Sequence, residues 1–505
     1  MAATLLLTYG INAGWLALVH RKPLFSKKNK SICPKFSPEL DLNFDFPIVT
    51  VQLPIFNERY VSQRLVEAIC RLDYPSDRLY IQVLDDSTDD TQELLQTSVY
   101  KQQQQGVWIE YIHRSDRTGF KAGALQAAMP KVQGDYIAIF DADFVPEPHW
   151  LKQTIAHFLQ PDSDRTAVVQ TRWGHINPLY SSLTNLQGVA LDGHFAIDQQ
   201  ARWRNDYFLN FNGTAGIWQK QAILDSGGWG SDTLAEDMDL SYRAQLKGWK
   251  VIYDNDIVAL AELPVTMMAY KLQQFRWAKG GIQCAKKLLG KIWQSKYSLG
   301  IKWQATVHLT GYGAHPFMLM SVLFSIPLMM FSPTYTENIQ VFKNISINLW
   351  QVCVIVATFI APYVYLTAQK ELYPKAWKHK LPSVLLLLIL FSGMSFSNSK
   401  AVYSGLFNKG VNFRRTPKFN ITAGGDRWVS KDYRLPFDSG AIFELGLCIY
   451  SCIAIYIAMV IGWYSMMPFL TIYALGYGYV GGLTLWQYCQ QIRLVKTPKA
   501  YPSVS

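Results

Sequence analysis

Acidic residues are scarce in this sequence: 37 Asp and Glu stand against 48 Lys and Arg in 505 residues, leaving a formal charge of +11. Charge of either sign is thin as well, at 17% against 50% hydrophobic residues, which argues against a wholly soluble protein. Cysteine is sparse. Its seven copies are scattered at no metal-ligand spacing, and Cys448 and Cys452, four apart in an apolar run, read as packing residues, so neither a disulfide framework nor a zinc site is expected. There is no internal repeat and no low-complexity tract. No small-residue cleavage site separates the apolar stretch Ala3–His20 from the basic block behind it, so that stretch reads as a retained anchor rather than a signal peptide. The basic excess does not point to nucleic acid. Arg21, Lys22, Lys27, Lys28 and Lys30, and again Lys286, Lys287 and Lys291, flank apolar runs as membrane-adjacent loops do.

What is there divides into two halves. From about Phe46 to Val169, short β-branched runs alternate with helical stretches; Ile48–Leu53, Leu79–Leu84, Trp108–His113, Tyr136–Phe140 and Ala167–Gln170 read as strands. That alternation predicts an α/β domain with a mostly parallel sheet, helices on both faces and ligands at the carboxyl ends of the strands. Polar residues gather at those ends: Asn57 and Glu58, Asp85 and Asp86, Asp141 and Asp143.

After about residue 300, apolar runs at 308–331, 347–368, 440–463 and 466–487 each approach the ~20 residues that span a bilayer. The run Leu381–Phe396 is shorter, and the basic segments Lys370–Lys380 and Asn408–Lys418 flank it, so it reads as entering and leaving the cytosolic face. Residues 283–304 suit an amphipathic helix on the membrane surface. The expected organisation is an N-terminal transmembrane helix (1–22), a cytosolic catalytic domain (40–282), and a region of interface helices and four transmembrane helices (283–505).

Asp141-Ala142-Asp143 follows the apolar strand Tyr136–Phe140, so both carboxylates emerge at one strand end, suited to a divalent cation that bridges a diphosphate. Alone, two such acids are also what a solvated turn carries. Asp86 ends an earlier strand, where its side chain can accept from a base or ribose; capping a helix is the plainer use. Lys121, between Gly119 and Gly123 at a helix start, can meet phosphate oxygens, or the stretch is a plain loop-to-helix cap. Glu236-Asp237 opens the helix Met238–Lys247, where Asp237 is a general-base candidate or simply helix N-terminal charge. Gln273, Arg276 and Trp277 lie three and four apart on one helix face, able to clamp a pyrophosphate and present a ring to a sugar, or to form a core Trp with a snorkelling Arg.

Together, Asp86, Asp141-Ala142-Asp143, Glu236-Asp237 and Gln273-Gln274-Phe275-Arg276-Trp277 resemble the signature of family-two processive glycosyltransferases, which include cellulose, chitin, hyaluronan and mannan synthases. Phe413-Arg414-Arg415-Thr416-Pro417-Lys418 resembles their gating-loop motif, Phe-x-Val-Thr-x-Lys, with Arg415 in place of Val; the loop would cover 408–435. Phe144 and Ala235 depart from cellulose synthases, which carry His and Thr there, and the likeness leans toward cellulose-synthase-like mannan and glucomannan synthases.

The resemblance implies a GT-A domain in an integral membrane enzyme of a plasma, inner or Golgi-type membrane. Asp141 and Asp143 would bind Mg²⁺ or Mn²⁺ and, with Asp86, Lys121, Glu236, Thr416 and Lys418, the nucleotide sugar. Asp237 would be the base, Gln273 and Arg276 would hold the diphosphate, and Trp277 would stack on the acceptor. The donor would be GDP-mannose or UDP-glucose and the product a β-1,4-linked polysaccharide passed across the bilayer. A lipid acceptor is the alternative; a transporter or receptor that merely binds nucleotide has no use for Asp237. Self-association is left open.

Overall fold

The computed structural model describes residues 2–21, 45–161, 163–335, 359–407, 410, 414–422 and 425–496. Lys22, Lys27, Lys28 and Lys30, residues 347–358 of the second apolar run, and Phe413 of the gating-like motif lie outside the described residues.

Eight strands form one sheet in the order β3-β2-β1-β4-β7-β6-β8-β5. They are β1 Val49–Ile55, β2 Leu79–Asp85, β3 Ile109–His113, β4 Tyr136–Ile139, β5 Phe144–Pro146, β6 Thr166–His175, β7 Gly216–Gln219 and β8 Lys250–Ala261. The four strands at one side pair in parallel. The sheet is mixed, with six strands in one direction and two reversed: β7 enters antiparallel between β4 and β6, and β5 runs antiparallel to β8. Only β6 and β8 resume parallel pairing, through a register shift between Thr171 and Arg172.

Helices cover both faces, as the alternation requires. Leu65 and Ile69 of Ser62–Cys70, with Leu95 and Val99 of Thr91–Gln104, pack on one side with the odd-numbered residues of β1. Leu125 of Phe120–Ala128 and Leu240 of Glu236–Leu246 pack on the other with Trp218 of β7. Every residue of β2 is buried, and so is every residue of β1 but one; the polar residues inside them are paired, Gln52 donating to Gln82 at 2.9 Å.

A 28-residue helix, Met267–Gln294, connects the sheet to the apolar half. The stretch 283–304, expected as one helix, is two: the end of this helix and Leu299–Leu309, restarted by Ser298, whose side chain accepts from the Ile301 N–H. Their inner faces pack on Phe208 and Tyr242, while Trp293, Leu299 and Trp303 face outward.

Among the described residues, Gly440–Val460 is long and apolar enough to cross a membrane. Two helix pairs satisfy the same condition only when each is taken as one span: Gly311–Leu323 with Ser325–Phe331, bent by 42°, and Trp377–Gly393 with Ser395–Phe407, bent by 50°. The second pair covers the run expected to turn back. Leu5–Val19 is shorter, and Met467–Lys496 forms a 30-residue helix beside Gly440–Val460.

Candidate active site

The site is built where β1, β2 and β4 end. Asp85 is consumed structurally: its carboxylate accepts from the Tyr111 hydroxyl at 2.7 Å and the Ser87 N–H at 2.9 Å. Asp86, also buried, is gripped by both nitrogens of the Arg114 fork at 2.8 and 2.5 Å. Arg114 carries no spacing signal in the sequence and was not anticipated. Beside it, the Arg117 guanidinium lies 3.2 Å over the Phe56 ring.

At the end of β4, Lys121 donates to Asp141 at 2.5 Å and to the Gly213 carbonyl at 2.8 Å, so in this structure it meets a carboxylate at the place where phosphate was expected. Burial pulls its ammonium down, but Asp141, Glu236 and Asp237 outweigh burial and hold it above the ordinary lysine value. Asp143 receives the Lys418 ammonium, which also donates to the Glu262 carbonyl at 3.2 Å. Both acids of the Asp-x-Asp pair are thus neutralised by lysines.

Glu236-Asp237 occupies the first turn of Glu236–Leu246, with Asp237 fixed by the Met238 N–H at 2.7 Å. Burial, reinforced by Glu236, pushes the Asp237 carboxyl up to about 7; burial likewise raises Glu236. A methyl group built on Gly213 would lie 3.0 Å from Asp237 Oδ2 and 3.5 Å from Lys121 Nζ, which places the base candidate against the Lys121–Asp141 pair.

On Met267–Gln294, Arg276 donates to the Thr416 hydroxyl at 2.9 Å. Burial lowers its affinity for the proton, countered by Asp141, Glu236, Glu58 and Asp143, the acids that face it. Arg415, adjacent to Thr416, pairs with Glu58 at 3.2 Å and lies 3.8 Å over the Tyr433 ring, whose hydroxyl donates to Asp89 at 2.7 Å. Burial raises Glu58 to about 7 against the pull of Arg415 and Lys418. Thr416, Arg415, Lys418 and Tyr433 therefore all reach residues at the strand ends or the helix beside them.

Asp237, Gln273 and Trp277 line one cavity of about 1900 Å³. Its walls include Trp173, whose ring centroid is 6.5 Å from that of Trp277, and His194, which shares a 3.1 Å hydrogen bond with Asn212. From there the cavity continues past Tyr312, His315 and Asn398 to Met318, Phe391, Phe469 and Tyr473 in the apolar half. Of the residues singled out in the sequence, Asp237, Gln273 and Trp277 line this cavity, while Asp86, Lys121, Asp141, Asp143, Glu236, Arg276, Thr416 and Lys418 lie outside its lining.

Among the described residues, no group of three or more His, Cys, Asp or Glu is placed to hold a metal. Mg²⁺ and Mn²⁺ that arrive with a diphosphate need less: one or two carboxylates, with phosphate oxygens and water completing the shell. Asp141 and Asp143 supply that oxygen donor set, and the two lysine ammoniums on them mark where positive charge is required.

Strand-end acids paired with lysines, a buried arginine and a raised carboxyl lining a cavity of about 1900 Å³ suit a glycosyltransferase. Residues 47–280 match the family described as "Glycosyltransferase like family 2". Over 465 residues the chain is 35% identical to the probable glucomannan 4-beta-mannosyltransferase 9 of Oryza sativa subsp. japonica, covering 88% of this chain and 84% of that protein. A glucomannan 4-beta-mannosyltransferase 1 from the same organism is 43% identical over 267 residues, 52% of this chain and 51% of that one. Among solved structures, a mannosyltransferase from Pyrobaculum calidifontis in complex with GDP-Man and Mn²⁺ aligns at 19% identity with a TM-score of 0.48, over 74% of this chain and 99% of that chain. The chain belongs to glycosyltransferase family 2 and is a hexosyltransferase, with cellulose-synthase-like mannosyltransferases among its relatives.

Proposed function

We propose that this protein is a membrane-embedded inverting mannosyltransferase that extends a β-1,4-linked mannan or glucomannan from GDP-mannose and passes the polymer into its apolar helices. The observation that carries the reading is the single cavity that holds Asp237, Gln273 and Trp277 at one end and Tyr312, Phe391 and Tyr473 at the other. The printed names of the rice relatives favour mannose over glucose as the transferred sugar.

In this reading residues 1–22 anchor the chain, 40–282 form a cytosolic GT-A domain and 283–505 form the membrane region. Asp237 takes the proton from the acceptor's terminal hydroxyl as that oxygen attacks the anomeric carbon from the face opposite the diphosphate, which inverts the configuration. Its raised proton affinity near neutrality suits a base that must hold and then release a proton. Arg276 and Lys418, with Lys121 beside them, stabilise the charge that builds on the departing diphosphate. A Mg²⁺ or Mn²⁺ ion on Asp141 and Asp143 would supply further charge neutralisation for that leaving group. Trp277 offers its ring to the acceptor sugar, and Gln273 an amide to a hydroxyl or phosphate oxygen.

The test is product analysis. Purified protein receives GDP-mannose or UDP-glucose with Mg²⁺ or Mn²⁺; high-mass glycan cut by a β-mannanase is the expected result. A discrete organic-soluble glycolipid would instead establish the lipid-acceptor alternative, and product from UDP-glucose alone would reassign the donor.

A further inference from the structure

The helix Met267–Gln294 is bound on two faces by different parts of the chain. Gln273, Arg276, Trp277 and Gly280 repeat at three- and four-residue spacing and share the face turned to the site. Gly280 marks how closely that face packs: a methyl there would lie 2.7 Å from the Ala235 Cβ, immediately before Glu236-Asp237. Met267, Lys271 and Gln274 form a second stripe at the same spacing, and each residue on it is tied to the apolar half. The Met267 N–H donates to Gln487 of Met467–Lys496 at 2.8 Å. Gln274 accepts from the Tyr312 hydroxyl at 2.9 Å. Lys271 reaches Glu444 of Gly440–Val460 at 2.5 Å and Asp438 at 3.2 Å.

Lys271 and Glu444 are the unusual members. Both side chains are almost completely buried, at 5% and 0% exposure. Ionisable groups inside an apolar helical region are expensive and persist where they have a task. Apolar packing would join these helices without fixing rotation or register, whereas a lysine shared by two carboxylates tolerates one alignment. Lys271 lies six residues before Trp277, so its register becomes the register of the clamp.

We propose that the Lys271–Glu444–Asp438 triad fixes the clamp helix against the membrane helices and thereby positions Trp277 on the acceptor; Lys271 is a positioning residue. This rests on the transferase reading above and deepens it, since the register of Arg276 and Trp277, which share one helix, then depends on the membrane helices.

The experiment compares the full-length wild type, Lys271→Met, Glu444→Gln and the charge-keeping Lys271→Arg in lipid nanodiscs. Acceptor KM is read with manno-oligosaccharides, donor affinity with GDP and Mg²⁺ by calorimetry, and folding by thermal melting. Lys271→Met and Glu444→Gln should raise acceptor KM by about tenfold or more, a displacement of about 1 Å being costly to a fitted site. GDP affinity should fall in the same two variants, because Arg276 sits on the same helix five residues from Lys271. Lys271→Arg keeps a cation between Glu444 and Asp438 and should restore most of the lost acceptor affinity. Unchanged acceptor KM in folded Lys271→Met and Glu444→Gln, or a folded Lys271→Arg no better than Lys271→Met, would each overturn the proposal. Should Lys271→Met fail to fold, the volume-matched Glu444→Gln carries the same comparison. A wild type that makes no product from either sugar defeats the functional reading instead.

Discussion

Lys418 and Asp143 meet as a buried ion pair across 275 residues of chain, joining the segment before the helix Gly440–Val460 to the end of β4. The lysine thereby brings Thr416 to Arg276 and closes the site with the segment's own charge. A diphosphate entering between Arg276 and Asp143 would take over part of that ammonium's hydrogen bonding. Lys418→Met should therefore weaken GDP binding by about 1.5–3 kcal/mol, roughly ten- to a hundredfold in Kd. Calorimetry with GDP and Mg²⁺ checks it; an unchanged Kd would remove the lysine from the donor site.

Asp237→Asn keeps the side chain's size and its contact to the Met238 N–H through the amide oxygen, while removing the proton acceptor. Turnover should fall by roughly 10²–10⁴-fold with GDP affinity near wild type. Retention of wild-type turnover by the purified variant would take the base role away from Asp237.

The same carboxyl gives a pH dependence whose sign is fixed by its environment. Burial and Glu236 hold it at about 7, and only the deprotonated form can accept a proton. The rate constant kcat/KM should climb about tenfold per unit below pH 7 and level off above it, the midpoint belonging to the Glu236–Asp237 pair. A raised acid also costs stability once charged, a cost that builds from its unfolded value upward and is complete above about 7. Asp237→Asn should consequently melt no lower than wild type at pH 8, which separates lost chemistry from lost folding. A flat rate profile from pH 5 to 8 would contradict this account.

The parts of the site written in local sequence were legible, and those written in pairing were not. The parallel strands β1 and β2 are wholly or almost wholly buried and rich in Val, Ile and Leu, so both read as strands and their polar ends were found. β7 has four residues and β5 three, too short for any period to appear, and β8 is interrupted by Asp254-Asn255-Asp256. Missing β5 and β7 hid the two reversed strands that make the sheet mixed. Gln273, Arg276 and Trp277 announced themselves by helical spacing. Arg114 on Asp86 and Tyr433 on Asp89 did not, because partners 28 and 344 residues apart leave no periodic trace.

Trp277 shares the cavity with Asp237 and stands beside Trp173, a position from which an indole offers broad apolar contact to a sugar face. Trp277→Ala should raise acceptor KM roughly tenfold while donor KM changes by less than about twofold, and Trp277→Phe should recover part of the loss. Kinetics with defined manno-oligosaccharides check this; a donor KM that rises in step would move the residue to the diphosphate.

Gly213 isolates the geometry of the base from the cost of bending the chain. Its φ of +84° lies in the left-handed region, and its missing side chain leaves room for Asp237 Oδ2 and Lys121 Nζ. Gly106 has nearly the same φ, +81°, but nothing within 4 Å of where a methyl would sit. Alanine at either position carries a backbone cost of about 1–2 kcal/mol. Only at 213 does the new methyl press on the carboxylate at 3.0 Å and on the ammonium that faces Asp141. Melting temperatures of Gly213→Ala and Gly106→Ala should fall alike, while turnover should fall by roughly tenfold or more in Gly213→Ala alone, a displacement of about 1 Å being enough for such a loss. Equal activities in the two variants would mean that Asp237 tolerates displacement, which a proton acceptor aimed at one hydroxyl does not.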